Sequence, residues 1–576
     1  MKLFVDLETN GIEDFARLSD LKNIHCIGMI PFDTDVAGEG PRMLFVGDRC
    51  DKAVEMLKSA REIIGHNIIG FDLRVLKKLL GWEPSWDQTV VDTMVLSRLC
   101  WPDIKEDDFI RAEKGFPKNL IGRHSLEAWG HRIGFHKGSC DQWDKYTDEM
   151  GEYCLNDVEV TLRLYDKIMR EEPAFTAVNL EHDFAKIIQR QEETGIPFNL
   201  GAAADLYSTL IDKKTELSKK LVNLFPPKEV KLKTKTKYIP FNPGSRLQIA
   251  EGLMKKYQWA PSEFTPDGRP KVDEEVLSSL DYEEARLLSE YLLVEKRIGQ
   301  LGDGKEGWMK LVKNGRIHGR VNTNGAVTGR CSHASPNLAQ VPSVKSPFGK
   351  ECRSLFYAPA GFKMVGVDAS GLELRCLAHY MAMYDDGQYV NTVVSGDVHT
   401  MNQKAAGLDT RDQAKVFIYA LVYGAGDEKI GKIIGGNRNQ GRAIRARFLS
   451  KVPALKKLKE AIDRAVDQRG YLWGLDGRKL KVRSKHSALN TLLQSAGAIL
   501  VKQATVLAWR SFKKAKIEVA QVAHVHDEIQ FIVKEDNAKQ VGELTVEAIR
   551  KAGQVFKFRC PLDGEYRVGC NWAETH

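Results

Sequence analysis

Two clusters of acidic residues, near opposite ends of the chain, have the types and spacing needed to hold metal ions. In the first, Asp6 and Glu8 lie two positions apart in an apolar, strand-like segment, so both side chains leave the same face. Asp72 follows the string HNIIGF, and Tyr153 and Asp157 lie four positions apart, on one face of an expected helix. Four carboxylates and a phenol of this kind can hold two Mg²⁺ ions around a phosphodiester and orient an attacking water.

The second cluster follows an apolar strand pattern. The string KMVGVDASGLELR predicts a buried strand that ends at Asp368, where a carboxylate and the Ala369 carbonyl meet a tight turn. Far downstream, Asp527 and Glu528 lie between two apolar runs, as at a hairpin tip. Burying an ionised carboxylate costs free energy unless a cation lies beside it, so two Mg²⁺ ions bridged by Asp368 and Asp527 are expected. Such a pair of ions would promote attack by a hydroxyl on a triphosphate.

A helix between the two parts of the second cluster carries candidate phosphate ligands. In RDQAKVFIYALVYG, four residues recur every four positions: Arg411, Lys415, Tyr419 and Tyr423. Arginine and lysine can hold phosphate oxygens, and Tyr419 can stack on a base or sugar. Taken alone, this stripe is more typical of a solvated helix face. Taken singly, Asp6 is more typical of a strand end, Asp72 of a helix cap and Tyr153 of a core phenol.

The elements that must position these residues divide the chain into successive segments. Alternating helical and strand patterns up to residues 171–173 predict an α/β domain. Long amphipathic runs follow, HDFAKIIQRQEETGIPF and AADLYSTLIDKKTELSKKLVNLF, and they predict a helical projection that ends at Pro226 and Pro227. From Arg320 onward, strands and long helices mix, with a hairpin turn at Asp476 and Gly477.

After the double proline, lysines alternate with apolar residues or threonines in KEVKLKTKTKYI. These residues are Lys228, Lys231, Lys233, Lys235 and Lys237. The pattern fits either a solvated extended arm or a contact with a phosphate backbone.

Length and composition place limits on the class of protein. A chain of 576 residues is expected to form two or more domains. Its net charge of +8, from 85 Lys and Arg against 77 Asp and Glu, allows a polyanionic partner without requiring one. The ten cysteines lack zinc-ligand spacing, which favours a reducing cytosol, and neither a leader nor an apolar stretch long enough to span a bilayer is expected.

In their order along the chain, the motifs of the first cluster resemble a known family. D-x-E, then N-x-x-x-F-D, then Y-x-x-x-D is similar to the proofreading 3′→5′ exonucleases of the tyrosine type, over about residues 1–170. That resemblance implies a ribonuclease-H-like domain with two Mg²⁺ ions. It implies that Tyr153 positions water, that His66 and Asn67 line the cleft, and that four acids are metal ligands: Asp6, Glu8, Asp72 and Asp157.

The motifs of the second cluster resemble the family A DNA polymerases. DASGLELR, R-x-x-x-K-x-x-x-Y-x-x-x-Y-G and VHDE match the three polymerase motifs in order and spacing, most closely those of short-tailed lytic phages (podoviruses). The resemblance implies synthesis with two Mg²⁺ ions at Asp368, Ala369 and Asp527, with Glu528 beside them. It makes Glu373 the gate against a ribose 2′-hydroxyl, and it assigns the dNTP to Arg411, Lys415, Tyr419 and His399. It assigns DNA contacts to Arg330, Asn490, Gln494 and His526.

The family architecture is a multidomain α/β chain, with the exonuclease followed by a right hand of thumb, palm and fingers. The expected ranges are exonuclease 1–175, thumb 176–318 with a connector at 225–241, palm 319–400 and 490–576, and fingers 401–489. The expected partners are primer–template DNA, dNTPs and replisome proteins such as a helicase-primase and a single-strand-binding protein. The enzyme is expected to be a monomer in the host bacterial cytoplasm, with no membrane contact.

Some features depart from the family pattern or leave alternatives open. The chain starts on the exonuclease strand, so no 5′ nuclease is expected before it, and its connector is too short for the thumb insertion that binds thioredoxin in some podovirus polymerases. A bacterial source stays open. A single-subunit RNA polymerase shares the two palm aspartates, but Glu373 and the exonuclease motifs argue against it. A binding scaffold with decayed sites would have lost carboxylates that are all present here.

Overall fold

The computed structural model describes residues 1–10, 20–33, 38–85, 87–136, 138, 140–231 and 236–576. The N-terminal part contains six strands and six helices among the described residues. They are β1 (Lys2–Thr9), β2 (Ile24–Asp33), β3 (Gly38–Glu39), β4 (Met43–Val46), α1 (Cys50–Ser59), β5 (Glu62–Gly65), α2 (Asp72–Leu80), β6 (Thr89–Asp92), α3 (Thr93–Cys100), α4 (Ile104–Ala112), α5 (Leu126–Ile133) and α6 (Asp148–Met169).

The six strands form one mixed sheet with helices on both faces. Its order is β3-β2-β1-β5-β6, with β4 also paired to β2, and β1 runs antiparallel to β2 and parallel to β5. Along β1, Leu3 and Val5 belong to one apolar core, whereas Phe4 packs with Val158 of α6 in the other. Because strand side chains alternate, Asp6 and Glu8 share the face of Phe4 and turn toward α6.

The middle of the chain is mainly helical. Its elements are α7 (Phe175–Thr194), β7 (Ile196–Pro197), α8 (Leu200–Leu224), β8 (Lys228–Lys231), β9 (Thr236–Ile239), α9 (Arg246–Tyr257), α10 (Glu274–Ser278), α11 (Glu283–Ile298), α12 (Trp308–Leu311), β10 (Val312–Lys313), β11 (Arg316–Ile317), β12 (Arg320–Asn322), β13 (Ser332–Ala334) and α13 (Gly349–Ser354). Helix α8 ends one residue before Phe225, as the double proline predicts.

The lysine-rich connector pairs as two antiparallel strands, β8 and β9. Within it, Lys228 forms an exposed ion pair with Glu251 at 2.7 Å. Lys233 and Lys235 lie outside the described residues. The described parts of the arm are therefore extended strands.

The C-terminal part contains a four-stranded sheet surrounded by helices. Its elements are β14 (Phe362–Ala369), α14 (Leu372–Asp385), α15 (Gln388–Ser395), α16 (Val398–Ala406), α17 (Arg411–Val422), α18 (Asp427–Ile433), α19 (Arg438–Lys451), α20 (Pro453–Arg469), β15 (Tyr471–Trp473), β16 (Lys479–Lys481), α21 (Lys485–Ala515), β17 (Val519–Val525), β18 (Glu528–Lys534), α22 (Ala538–Val555) and β19 (Gly564–Gly569). The sheet is antiparallel throughout, in the order β17-β18-β14-β19.

Helix α7 does not project from the molecule, contrary to the expectation from its amphipathic pattern. Leu180, Phe184 and Ile187 pack against Ile499 and Val506 of α21. The neighbouring residues Glu181 and His182 are also buried, so α7 has apolar and polar partners on more than one side. The helix is consequently an internal element between the two large sheets.

Helix α21 is long and apolar enough to cross a bilayer by length and composition, so the expectation that no stretch reaches that length was wrong. Most of its apolar window is buried inside the protein, where it packs against α7, α14 and α22. This burial is typical of a core helix.

Candidate metal centres

The second carboxylate cluster forms as the sequence predicts. Strand β14 pairs with β18 so that Asp368 lies opposite Glu528, and the Ala369 N–H donates to the Asp527 carbonyl at 3.2 Å. These contacts bring the end of β14 to the tip of the β17–β18 hairpin. Asp368, Ala369 and Asp527 all line one cavity of about 490 Å³.

The electrostatics of this pair favour a bound cation. Partial burial, followed by the charges of Asp527 and Glu528, raises the pKa of Asp368 to about 7. Burial also raises the pKa of Asp527. Two neighbouring carboxylates are difficult to ionise together, and a bound cation would offset their repulsion. Carboxylate oxygens are also the hard ligands that Mg²⁺ prefers, so both residues fit divalent ions.

Glu528, for which the sequence predicts a catalytic role, follows Asp527 at the start of β18. Its carboxylate is buried, accepts hydrogen bonds from Trp572 Nε1 and Gln530 Nε2, and contacts His576 and Arg353. Burial alone would raise the pKa of Glu528, but these partners hold it below its ordinary value. Since side chains alternate along β18, Glu528 turns into the protein, and it is not among the described residues that line the cavity.

Helix α17 presents the predicted stripe beside the cavity. Tyr419 lines the cavity itself, and Lys415 lines an adjoining open pocket together with Tyr419 and Tyr423. Arg411 is exposed at the start of the helix and bonds Asp397 at 2.8 Å. The His399 ring centroid lies 6.4 Å from that of Tyr419, and burial, followed by the charges of Arg411 and Lys415, lowers the pKa of His399. Lys415 and Tyr419 therefore share one opening, with Arg411 one turn away on α17 and His399 beside Tyr419.

Glu373 lies on the first turn of α14, where its carboxylate has two partners. It accepts a hydrogen bond from the Tyr423 hydroxyl and forms an ion pair with Arg330 at 3.5 Å. All three side chains line the cavity. The sequence placed Glu373 and Arg330 at this site, and the contact between them is a finding of the structure.

The remaining predicted DNA contacts border the same opening. His526 is exposed at the hairpin tip with a positive φ of 57° and lines the cavity. Asn490 and Gln494 are half-buried on α21, and Leu493 and Gly497 of that helix reach the cavity wall. Asn490 and Gln494 themselves are not among the described residues of the wall.

Lys502 of α21 also lines the cavity, and the sequence analysis did not select it. Its side chain is 1% exposed and bonds Glu181 of α7 at 2.6 Å. The available signal was a single lysine inside the apolar run AGAILVKQATVLAW, because a buried lysine needs an acidic partner. The partner itself could not be found from the pattern, since it lies 321 residues away.

The first carboxylate cluster also assembles. Ligand atoms of Asp6, Glu8 and Cys154 all lie within 4.8 Å of one another. A hydrogen bond with Cys26, together with burial, raises the pKa of the Cys154 thiol well above its ordinary value. A protonated thiol is a poor metal ligand, so the two carboxylates are the better candidates.

Asp72 lies beside this cluster, bonded to the backbone of Leu7 on β1 and close to Asp157. Burial raises the pKa of Asp72 to about 7, against the effect of a hydrogen bond from the Leu7 backbone, and the charges of Asp92 and Asp157 add to the rise. Its Oδ1 atom is buried and accepts no hydrogen bond among the described residues. An acceptor oxygen of this kind beside other carboxylates fits a divalent cation.

The predicted polar residues around this cluster take different positions. Tyr153 is half-buried on α6, one turn before Asp157, with its ring edge against Trp143. His66 is buried, with its nitrogens at 2.9 Å from Thr93 Oγ1 and the His124 carbonyl, contacts that fit a structural role. Asn67 is half-buried with a φ of 60°, and its N–H donates to Asp92.

A model of DNA polymerase family A matches residues 188–574. The chain therefore belongs to DNA polymerase family A, and the resemblance seen in its motifs is confirmed. Over 100% of both chains it is 34% identical to the DNA-directed DNA polymerase of Enterobacteria phage T3. It is 35% identical to that of Escherichia phage T7, over 98% of this chain and 100% of the relative. The protein is a DNA-directed DNA polymerase.

A solved structure confirms the fold class. It is described as the POL domain of Pol1 from M. smegmatis in complex with DNA primer-template and dNTP. The TM-score is 0.79 at 18% identity, over 100% of this chain and 96% of that chain. The family model begins at residue 188, whereas the alignments with the phage enzymes also include the N-terminal sheet.

Proposed function

We propose that Asp368 and Asp527, with the Ala369 carbonyl, hold two Mg²⁺ ions at the polymerase site. The observation that carries this proposal is the convergence of the two carboxylates, both with a raised pKa, on one cavity. When bound, the ions would activate the primer 3′-hydroxyl and neutralise the triphosphate. Primer–template DNA and dNTPs are the substrates in this proposal.

The chain's own side chains would position those substrates. Lys415 and Tyr419 line one opening, with Arg411 one turn before Lys415 on α17 and His399 beside Tyr419. Arg411, Lys415 and His399 would bind the triphosphate, while Tyr419 would stack on the incoming nucleotide. Glu373, held by Tyr423, would occupy the space of a ribose 2′-hydroxyl. Four residues at the cavity or on α21 would contact DNA: Arg330, Asn490, Gln494 and His526.

Primer extension tests the polymerase proposal. Asp527→Ala should abolish extension of a labelled primer–template by dNTPs. The matched control is Asp536→Ala, which changes an exposed acid just after β18 and should extend at the parent rate. Extension by Asp527→Ala at a rate near that of the parent would overturn the proposed ligand role.

We also propose that the N-terminal sheet is a 3′→5′ proofreading exonuclease, with two Mg²⁺ ions held by Asp6, Glu8, Asp72 and Asp157. The buried Asp72 oxygen without a donor supports this role. Tyr153 would orient the attacking water with its hydroxyl. Tyr153→Phe should therefore slow trimming of a labelled single strand by about 10-fold or more and leave primer extension unchanged. Equal trimming by this variant and the parent would exclude the role of Tyr153.

We infer that the five expected ranges are the functional divisions: exonuclease 1–175, thumb 176–318, fingers 401–489 and palm 319–400 with 490–576. The long α8 and α11 helices pack together and support a thumb in the second range. The source proposed is a short-tailed phage, with the enzyme acting as a monomer in the bacterial cytoplasm. A helicase-primase and a single-strand-binding protein are the proposed replisome partners.

The enzyme is further proposed to work without thioredoxin. The connector at 225–241 has room only for the two short strands β8 and β9 and the residues between them. Product length should therefore be unchanged when thioredoxin is added to primer extension with excess competitor DNA. Much longer products in its presence would contradict this prediction.

A further inference from the structure

Four charged side chains form a buried charge cluster behind the polymerase cavity. They are Glu181 of α7, Asp476 and Arg478 of the β15–β16 turn, and Lys502 of α21. Each is at most 4% exposed. Arg478 lies 2.6 Å from both Glu181 and Asp476, and Lys502 lies 2.6 Å from Glu181. The two positive and two negative charges balance, which a cluster removed from water requires.

Asn324 connects the buried charge cluster to the segment 324–330. Its Oδ1 atom accepts from Lys502 Nζ at 3.2 Å and from Arg478 NH1 at 3.3 Å. The Asn324 side chain is buried, so its bonds to these two cations hold the backbone at residue 324 in place. Asn324 thus anchors the beginning of the segment.

Arg478 also supports the far end of the segment. At Gly329, φ is +75°, and a Cβ atom would lie 2.5 Å from Arg478 NH1, so the guanidinium packs directly on this backbone. The segment closes on itself, because the Gly325 N–H donates to the Arg330 carbonyl at 3.0 Å. Its last residue is Arg330, which enters the cavity and meets Glu373.

These contacts form a continuous path from buried ion pairs to a side chain that faces the substrate. A network of buried ion pairs and hydrogen bonds in a low-dielectric interior favours one arrangement of the groups it contacts. Arg330 is 30% exposed in its side chain, and its guanidinium meets Glu373 at 3.5 Å and the Tyr423 hydroxyl. The segment beneath it sets the position from which the side chain reaches these partners.

We propose that Asn324, Arg478 and Lys502 are positioning residues that hold Arg330 at the primer end. The inference rests on the proposed contact of Arg330 with DNA and adds the device that keeps this contact in place. It assigns a function to a lysine and an asparagine that make no substrate contact themselves. It also explains why Lys502 lies buried at the wall of the cavity.

A double-mutant cycle tests the proposal, because a residue that acts through Arg330 has no further effect once Arg330 is gone. Steady-state kcat and KM for primer–template, and extension from a mismatched 3′ end, are measured for the parent, Asn324→Leu, Arg330→Ala and the double variant. Asn324→Leu is expected to raise KM for primer–template about 3- to 10-fold with little change in kcat. The double variant should equal Arg330→Ala.

The control is Thr505→Val, on the same helix as Lys502. Its hydroxyl is buried and donates to the Val501 carbonyl, and no bond joins it to the buried charge cluster among the described residues. It should leave KM for primer–template unchanged, whereas a general loss of stability would affect both variants. If Asn324→Leu does not fold, Asn324→Ala replaces it in the same cycle.

Two results would overturn the inference in distinguishable ways. If the losses from Asn324→Leu and Arg330→Ala multiply in the double variant, Asn324 does not act through Arg330, although the DNA contact of Arg330 stands. If Arg330→Ala changes neither KM nor mismatch extension, the proposed contact of Arg330 fails, and the positioning role fails with it.

Discussion

Glu373 is held from two sides at the cavity, by the Tyr423 hydroxyl and the Arg330 guanidinium. A carboxylate with fixed partners cannot move aside for a larger sugar without losing both contacts. Discrimination by exclusion depends on this rigidity, since a mobile side chain would give way. At the scale of single residues, the role proposed for Glu373 in sugar selection therefore rests on its partners as well as on its size.

Replacing Glu373 by alanine should open space for a 2′-hydroxyl. Incorporation of ribonucleotides relative to deoxyribonucleotides, measured as the ratio of kcat/KM values, is expected to rise about 10- to 100-fold. Glu373→Gln keeps the size of the side chain and is the matched control, which should stay close to the parent. An unchanged ratio in Glu373→Ala would show that another group excludes the ribose.

Asp368 should make the metal-free protein less stable as pH rises. Its pKa is about 7 in the folded protein, above an unfolded value near 3.9. The stability it contributes is therefore complete below about pH 4 and is lost as pH rises through 7. In EDTA at pH 8, Asp368→Asn should be more stable than the parent by on the order of 1 kcal/mol, a small difference because solvent screens the partly exposed carboxylate. Near pH 4 the two proteins should be equally stable.

Thermal unfolding at the two pH values measures this difference. Addition of Mg²⁺ at pH 8 should raise the melting temperature of the parent more than that of the variant, because the ions bind the folded state. If Asp368→Asn melts above the parent by the same margin at both pH values, the raised pKa does not belong to the Asp368 carboxylate.

At the scale of elements, α7 supports both sheets through consecutive residues. Glu181 enters the buried charge cluster, while His182 Nδ1 donates to the Val178 carbonyl and its Nε2 accepts from the Asp92 N–H at 2.8 Å. Asp92 in turn accepts from the backbone just before Asp72. One helix thus supports segments that lead to each metal centre.

Neutralising Glu181 and neutralising Asp183, both on α7, should lower the free energy of unfolding by very different amounts. Glu181→Gln removes the carboxylate that pairs with both Arg478 and Lys502. Arg478 then keeps Asp476 as its acid, while Lys502 keeps the neutral Asn324 oxygen. The change is expected to lower the free energy of unfolding by about 3–5 kcal/mol. Asp183 pairs with Arg510 in solvent, so Asp183→Asn should cost less than about 1 kcal/mol. Urea unfolding compares them, and equal losses would show that the cluster is not held by its charge balance.

The sequence was most informative where chemistry follows from local pattern. The sequence predicted the strand with Asp368 near its end, the hairpin tip at Asp527 and the helix with Tyr153 and Asp157, because strand and helix periods fix which side chains share a face. The inward turn of Glu528 and the internal position of α7 were not predicted. Both depend on partners distant in sequence, such as Trp572 and Lys502, that no local pattern contains.

At the scale of the whole molecule, the two carboxylate centres lie on different sheets, one at β1 and the other between β14 and the β17–β18 hairpin. The β15–β16 hairpin also meets the N-terminal part, through Lys481 with Asp103 at 3.0 Å and Arg483 with Glu106 at 3.1 Å. No carboxylate of one centre contacts the other centre among the described residues. Each centre should therefore fail separately when its own ligands are removed.

The most direct test of this account is extension and degradation of one labelled primer–template with Mg²⁺, with and without dNTPs, by three proteins. They are the parent, Asp527→Ala and Asp6→Ala/Glu8→Ala. The account predicts that Asp527→Ala loses synthesis and keeps degradation, and that the double variant does the reverse. A parent that extends but never trims, or a single change that removes both activities from a folded protein, would contradict the two-centre assignment.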